Sequence, residues 1–346
     1  MAKLPEYQSL QEKKTYFSQT IIETEEEFDN FYNSIQNNGQ IWRGSNEAKY
    51  KIFTSLQRFW IEKEKNDSII EVKEHLSLVY DYFKNWNNGT LKRHFDNLKF
   101  PTSEYSLFSI LRHYSIPMPF LDWTESINVG LFFMIEEEPN NNSLYNKLAS
   151  YFSKYLKKDI EINNYFSLYE LSPNHPFVQF DLKAFLKTTN ENRETRFIKP
   201  KEQNHKEELH QSINAFLSSK YGFEHILDLD SIVLIRDRPD EKIKYFLRNN
   251  LNILNQEGLY LFNPAPKKSI EEFLVEKYSK ELKANHNSSE ISQIYLGNNV
   301  KHFHCFDINK KLRNYIRKRI EMEGITKNYI YPDLNTMKKD YYKNFR

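Results

Sequence analysis

Leu111-Arg112-His113-Tyr114-Ser115-Ile116-Pro117-Met118-Pro119-Phe120-Leu121-Asp122-Trp123-Thr124-Glu125-Ser126 sets ionisable and hydroxyl side chains around two prolines, directly ahead of an apolar run. Upstream, Leu107, Leu111 and Tyr114 recur at i, i+4 and i+7, so a helix is predicted over Ser103–Tyr114, with Pro117 halting it. Downstream, Ile127 to Ile135 is apolar enough to be buried. The short connection between them places His113, Asp122, Thr124 and Ser126 near two element ends, where side chains can converge on a ligand.

Other segments fit one α+β domain with insertions. Thr24-Glu25-Glu26-Glu27 reads as a capping box, and Phe28, Phe31, Tyr32 and Ile35 form its apolar stripe. Asn38-Gly39 is a turn, and Gln40 to Arg43 a strand that delivers Arg43 to its end. Residues Asp67 to Asn97 read as covering helices, and Asn140 to Asn164 as an insertion carrying a helix over Leu144–Leu156. Phe166–Leu171, Ile232–Ile235 and Glu257–Phe262 read as strands, Pro239 opens a helix, and Thr188 to His210 is a polar excursion. A last helix is expected from an Asp307 N-cap to Met322, stopped by Gly324 and buried along Ile308, Leu312, Ile316 and Ile320.

Composition excludes several classes. No GxGxxG or P-loop pattern occurs, and only 8 glycines are present, so nucleotide folds built on those loops fit poorly. No GxSxG elbow supports a serine hydrolase. His302, His304 and Cys305 provide too few ligands for a metal. A lone Cys305 forms no internal disulfide, and no apolar run approaches the roughly 20 residues that cross a bilayer, so the expectation is a cytoplasmic protein without membrane contact. A net charge of +2 gives no global basic field, leaving Lys310, Lys311, Arg313, Arg317, Lys318 and Arg319 on the last helix as the local case for nucleic acid.

The opening segment also resembles the signature of the FRG domain, a pattern close to Gln-His-Tyr-Gly-hydrophobic-Pro-Thr-x-Leu-Leu-Asp-Trp-Thr followed by an aliphatic-aromatic helix. His113, Pro117, Asp122, Trp123 and Thr124 match it; Arg112, Ser115 and Met118 replace its Gln, Gly and Thr. Trp42-Arg43-Gly44, with Ser55-Leu56-Gln57-Arg58 after it, is similar to the aromatic-Arg-Gly element and the small-Leu-x-Arg segment of that family. Gln256-Glu257-Gly258-Leu259-Tyr260 and the closing Tyr331-Pro332-Asp333-Leu334 resemble its later motifs. The resemblance places an FRG domain over 39–346, with insertions near 140–164 and 188–225, after an N-terminal helical extension over 1–38.

The motif layout of FRG proteins is in turn similar to that of ADP-ribosyltransferases. That likeness implies mixed or antiparallel sheets with flanking helices and helical insertions, and NAD as substrate. It implies that Arg43 and Gly44 hold the NAD phosphates, that Asp122, Trp123, Thr124 and Ser126 line the nicotinamide ribose site, and that Gln256 or Glu257 stands where a carboxylate stabilises the sugar cation. Strand alternation would let only one of those two face the site. Tyr114 and Trp123 are candidates to stack a ring, and Asp122 to orient His113 as a base or phosphate ligand. The implied function is a bacterial defence or toxin effector with a protein or nucleic-acid acceptor and a cognate antitoxin or defence partner. A catalytically silent nucleotide- or partner-binding module, and nucleic-acid binding through the last helix, stand as alternatives.

Overall fold

Hydroxyl side chains set the starts of the helices around the site. Thr24 Oγ1 accepts from the Glu27 amide while Glu27 reaches back, which completes the expected capping box and opens α2, Glu25–Ser34. The Thr54–Gln57 box opens α3, Ser55–Glu62, and the Ser103–Ser106 box opens α5, Glu104–His113. The computed structural model describes residues 2–35, 39–99, 102–136, 161–171, 232–236, 251–284 and 303–333. The expected helices over 144–156 and after Pro239, and the excursion over 188–210, lie outside them.

Among the described residues the remaining helices are α1 (Leu10–Lys13), α4 (Ile69–Asn97), α6 (Ile127–Ile135), α7 (Leu251–Asn255), α8 (Ile270–Ala284), α9 (Arg313–Met322) and α10 (Lys327–Ile330). Helix α4 breaks at Trp86–Gly89, where Asn87, Asn88 and Gly89 are left-handed, as Asn and Gly tolerate best. The strands are β1 (Phe17–Ile22), β2 (Ile41–Ser45), β3 (Phe120–Thr124), β4 (Tyr165–Leu171), β5 (Val233–Ile235), β6 (Gly258–Phe262) and β7 (Phe303–Asn309). They form one mixed seven-stranded sheet in the order β1-β7-β4-β2-β3-β6-β5, antiparallel throughout except for the parallel β1–β7 pair. This α+β architecture with flanking helices agrees with expectation, save that the strands form a single sheet.

Two boundaries differ from the sequence reading. The segment before Gly39, expected to be only helical, contributes β1, whose Phe17 and Ile22 are buried and whose backbone pairs with β7 in register Phe17↔Phe303 to Ile22↔Ile308. Asp307 is not an N-cap. It sits inside β7, fully buried, and Asn309 caps the short 3-10 turn Lys310–Leu312 that leads into α9. Asp307 is retained there because Lys13 Nζ lies 2.6 Å from its Oδ1 with no exposure of either side chain, and Gln19 Nε2 donates to its Oδ2 at 2.6 Å.

One face of the sheet packs Ile41, Leu121, Leu261 and Phe303 against Tyr7 and Leu10 from the N-terminal segment and Ile270 and Leu274 from α8. The opposite face carries two separate cores. Phe120, Tyr260 and Phe262 pack under α3, α4 and α5, whereas Trp42, Phe166 and Leu168 pack under α2, α6 and α9. The division falls between β2 and β3, which share a single register pair, Trp42↔Thr124. None of the described helices is long and apolar enough to cross a membrane.

Candidate functional site

Beyond Trp42↔Thr124, β2 and β3 run on without ladder partners for each other, and Arg43, Gly44 and Ser45 face Asp122 and Trp123 across the parting. A cleft of about 570 Å³ opens there, the size of an ordinary small-molecule site. Arg43 bridges the gap: its Nη1 donates to the Asp122 carbonyl at 2.5 Å, supplying a donor where the ladder provides none.

Two further guanidiniums enter the cleft. The α3 cap places Arg58 on its wall, and the last turn of α5 places Arg112, whose Nη2 donates to Asp122 Oδ2 at 2.5 Å. Burial pulls Arg43 down to about 10, with Arg58 and Arg112 repelling it and Asp122 opposing, so it remains charged at neutral pH. Arg58 is lowered first by burial and then by repulsion from Arg112. Its side chain makes neither hydrogen bond nor ion pair among the described residues, and Arg112 Nε is buried without a partner. Burial pushes the Asp122 carboxyl up, but Arg112, Arg43 and His113 together outweigh it and hold it below its ordinary value. The site is therefore a set of mutually repelling cations with one carboxylate neutralising part of their charge, an arrangement that an entering anion relieves.

His113 lines the cleft, yet no hydrogen bond joins it to Asp122, whose carboxylate is taken by Arg112. Its Nε2 instead lies 3.5 Å from the Tyr260 hydroxyl, and burial lowers its pKa, so the imidazole is neutral at pH 7. The expected Asp122–His113 pair is not formed.

Of the other anticipated residues, Gly44, Trp123 and Thr124 line the cleft, whereas Tyr114 and Ser126 do not. Gly44 lines the cleft, but a Cβ there would lie 2.2 Å from the Gly130 carbonyl oxygen and 2.4 Å from the Met134 nitrogen. Its lack of a side chain serves the approach of α6 to β2. Thr124 Oγ1 donates to the Gln256 carbonyl at 2.7 Å and accepts from the Ser126 amide at 3.0 Å, while Ser126 Oγ caps α6. Both hydroxyls thus hold the loops around the cleft. Trp123 stacks on Phe303 with ring centroids 5.9 Å apart, and Tyr114 is 73% exposed and does not line the cleft.

Gln256 and Glu257 precede β6 and are not related by strand alternation. Glu257 is left-handed at φ 47°, which turns the chain so that the Gln256 side chain lines the cleft while Glu257 is exposed outside it. Gln256 Nε2 donates to the Ile330 carbonyl at 3.3 Å. The cleft's second carboxylate is Glu136, at the end of α6, which accepts from the Tyr331 hydroxyl at 2.9 Å. Arg58, Glu136 and Tyr331 were not anticipated as site residues. Arg58 and Tyr331 nonetheless lie in motifs visible in the sequence, whereas nothing in the sequence distinguishes Glu136 from its acidic neighbours.

Residues 38–143 match the FRG domain family. The chain carries an FRG domain. No curated protein and no solved structure matches the chain. The matched residues of the FRG domain supply Arg43, Arg58, Arg112, His113, Asp122 and Glu136, and three later residues close the cleft: Gln256 just before β6, Tyr260 within it and Tyr331 just after α10. Among the described residues, no group of three or more His, Cys, Asp or Glu could hold a metal ion.

Proposed function

We propose that the cleft of this FRG domain binds a phosphorylated, nucleotide-like ligand, and that NAD is the ligand to test first. The convergence of Arg43, Arg58 and Arg112, with the Arg58 guanidinium unpartnered among the described residues, carries the proposal. Planar guanidiniums match phosphate oxygens, and partial burial strengthens each contact. An ADP-ribosyltransferase-like fold with its ligand at the parting of the sheet belongs to the same proposal.

Cleaving the C–N bond of NAD builds positive charge on the ribose, which a carboxylate in the cleft would stabilise. Glu257 is outside the cleft and Gln256 offers only an amide, so the geometry favours ligand binding over NAD consumption. Consumption would have to draw on Glu136 or Asp122. An effector role in defence or toxicity, with a protein or nucleic-acid acceptor and a cognate partner, rests on the family likeness alone. Nucleic-acid binding by α9 is less favoured, because Lys310 pairs with Glu47, Lys311 with Glu23, and Arg313 and Arg319 lie over the rings of Phe166 and Tyr32.

Calorimetric titration with NAD, with nicotinamide release followed in parallel, tests this reading. Arg58→Ala is expected to weaken binding by at least about tenfold and Glu257→Gln to leave it unchanged. Binding without release supports a sensing module, release supports consumption, and the absence of binding to NAD and to inorganic pyrophosphate removes the proposal.

A further inference from the structure

Arg58 also borders a second concavity. The N-terminal segment Ala2–Glu6 is held by the Glu6↔Tyr50 bridge and by the Tyr7 amide donating to the Lys49 carbonyl at 2.8 Å. Between this segment and α3 lies a groove of about 450 Å³. Tyr50, Lys51, Phe53 and Arg58 line both the groove and the cleft, so the two spaces adjoin across those side chains.

Their linings differ in chemistry. The cleft side is set by guanidiniums, whereas the groove presents Leu4, Pro5, Tyr50 and Phe53, with Lys3, Glu6 and Glu62 around them. Lys51 is already occupied, its ammonium 2.6 Å from Glu272. Arg58 is thus the shared cation without a partner among the described residues, positioned between an anion-attracting space and an apolar, aromatic one.

The geometry points to a ligand that spans both spaces: a dinucleotide whose diphosphate lies at Arg58, with one nucleoside in the cleft and the other in the groove against Leu4 and Tyr50. A nucleobase presents a flat ring suited to aromatic and aliphatic walls, and the diphosphate that joins the two nucleosides calls for the cation next to them. The inference rests on the nucleotide-binding reading of the cleft and adds that the N-terminal segment forms part of the site.

Leu4 touches only the groove, so filling the groove there separates this inference from the reading beneath it. Inorganic pyrophosphate and NAD are titrated into the full chain and into its Leu4→Trp and Leu4→Ala variants. Leu4→Trp is expected to weaken NAD by at least about tenfold while pyrophosphate binds as in the parent, with a smaller loss for Leu4→Ala. Retained pyrophosphate binding also reports an intact fold. Unchanged NAD affinity in Leu4→Trp, or equal loss of both ligands in both variants, overturns the inference and leaves the cleft reading standing. Failure of the parent chain to bind either ligand overturns both.

Discussion

Ser115 illustrates how a single residue records a family pattern and departs from it. The pattern has Gly at this position, and the backbone here is left-handed at φ 60°, a conformation that costs an L-residue about 1–2 kcal/mol and glycine little. The Ser115 amide closes the end of α5 by donating to the Arg112 carbonyl at 3.2 Å, so the chain reverses there whatever the side chain. Ser115→Gly is expected to raise stability by up to about 1 kcal/mol, part of the gain being lost to glycine's freedom in the unfolded chain. Urea denaturation measures this, and a loss of stability would show that the Ser115 side chain contributes more than its backbone strain removes. Glu257 is the second left-handed residue beside the cleft, and it marks where sequence reasoning fails. Strand alternation would set Gln256 and Glu257 on opposite faces, but the strand begins only at Gly258, and a turn residue with positive φ breaks the period-two pattern.

At the scale of elements, the segments with strong local signals were legible: the Thr24 capping box, the α5 periodicity, the apolar α6 and the strands near Phe166, Val233 and Leu259. Less legible are β1, where Ser18 and Gln19 interrupt the apolar pattern of a half-solvated edge strand, and the far end of β7, where Asp307 resembles a helix cap although Lys13 pairs with it inside the strand. The family likeness gives Gly44 of the aromatic-Arg-Gly motif to the NAD phosphates, but contact with the facing helix explains this glycine. A Cβ at Gly44 would collide with α6 backbone atoms, and Gly130 on α6 is itself within 3.0 Å of Trp42 Cβ at the position its own Cβ would take. Neither element can withdraw, since Trp42, Met134 and Leu168 share one buried core. Gly44→Ala is therefore expected to cost about 3 kcal/mol or more, the upper end of over-packing penalties, and to abolish cleft binding through misplacement of Arg43. Thermal unfolding checks it; a stability within about 1 kcal/mol of the parent would mean that α6 slides freely on β2.

Across the whole molecule, the N-terminal segment, β4 and β7 are joined at one buried point. Lys13 from the N-terminal segment, Ser167 from β4 and Asp307 from β7 meet with no solvent exposure, Lys13 Nζ donating to Ser167 Oγ at 2.5 Å and Ser167 Oγ to Asp307 Oδ1 at 2.6 Å. The Lys13 ammonium also stands 5.0 Å from the centroid of Tyr169, a residue of the cleft wall. This contact couples the segment that carries the groove to the sheet that carries the cleft. Removing one charge strands the other in a medium that cannot solvate it, so Lys13→Met is expected to cost about 3–5 kcal/mol. Neutralising the stranded partner should return part of that loss: Lys13→Met with Asp307→Asn is expected to be more stable than additivity of the single variants allows, by at least about 1 kcal/mol. Denaturant unfolding of the four proteins measures the coupling, and strictly additive losses would show that the two charges do not sustain each other in the folded state. Where the coupling is present, loosening residues 2–13 must also loosen Tyr169, so the same double-mutant set titrated with NAD reads whether the N-terminal segment acts on the cleft through this contact or only through the groove.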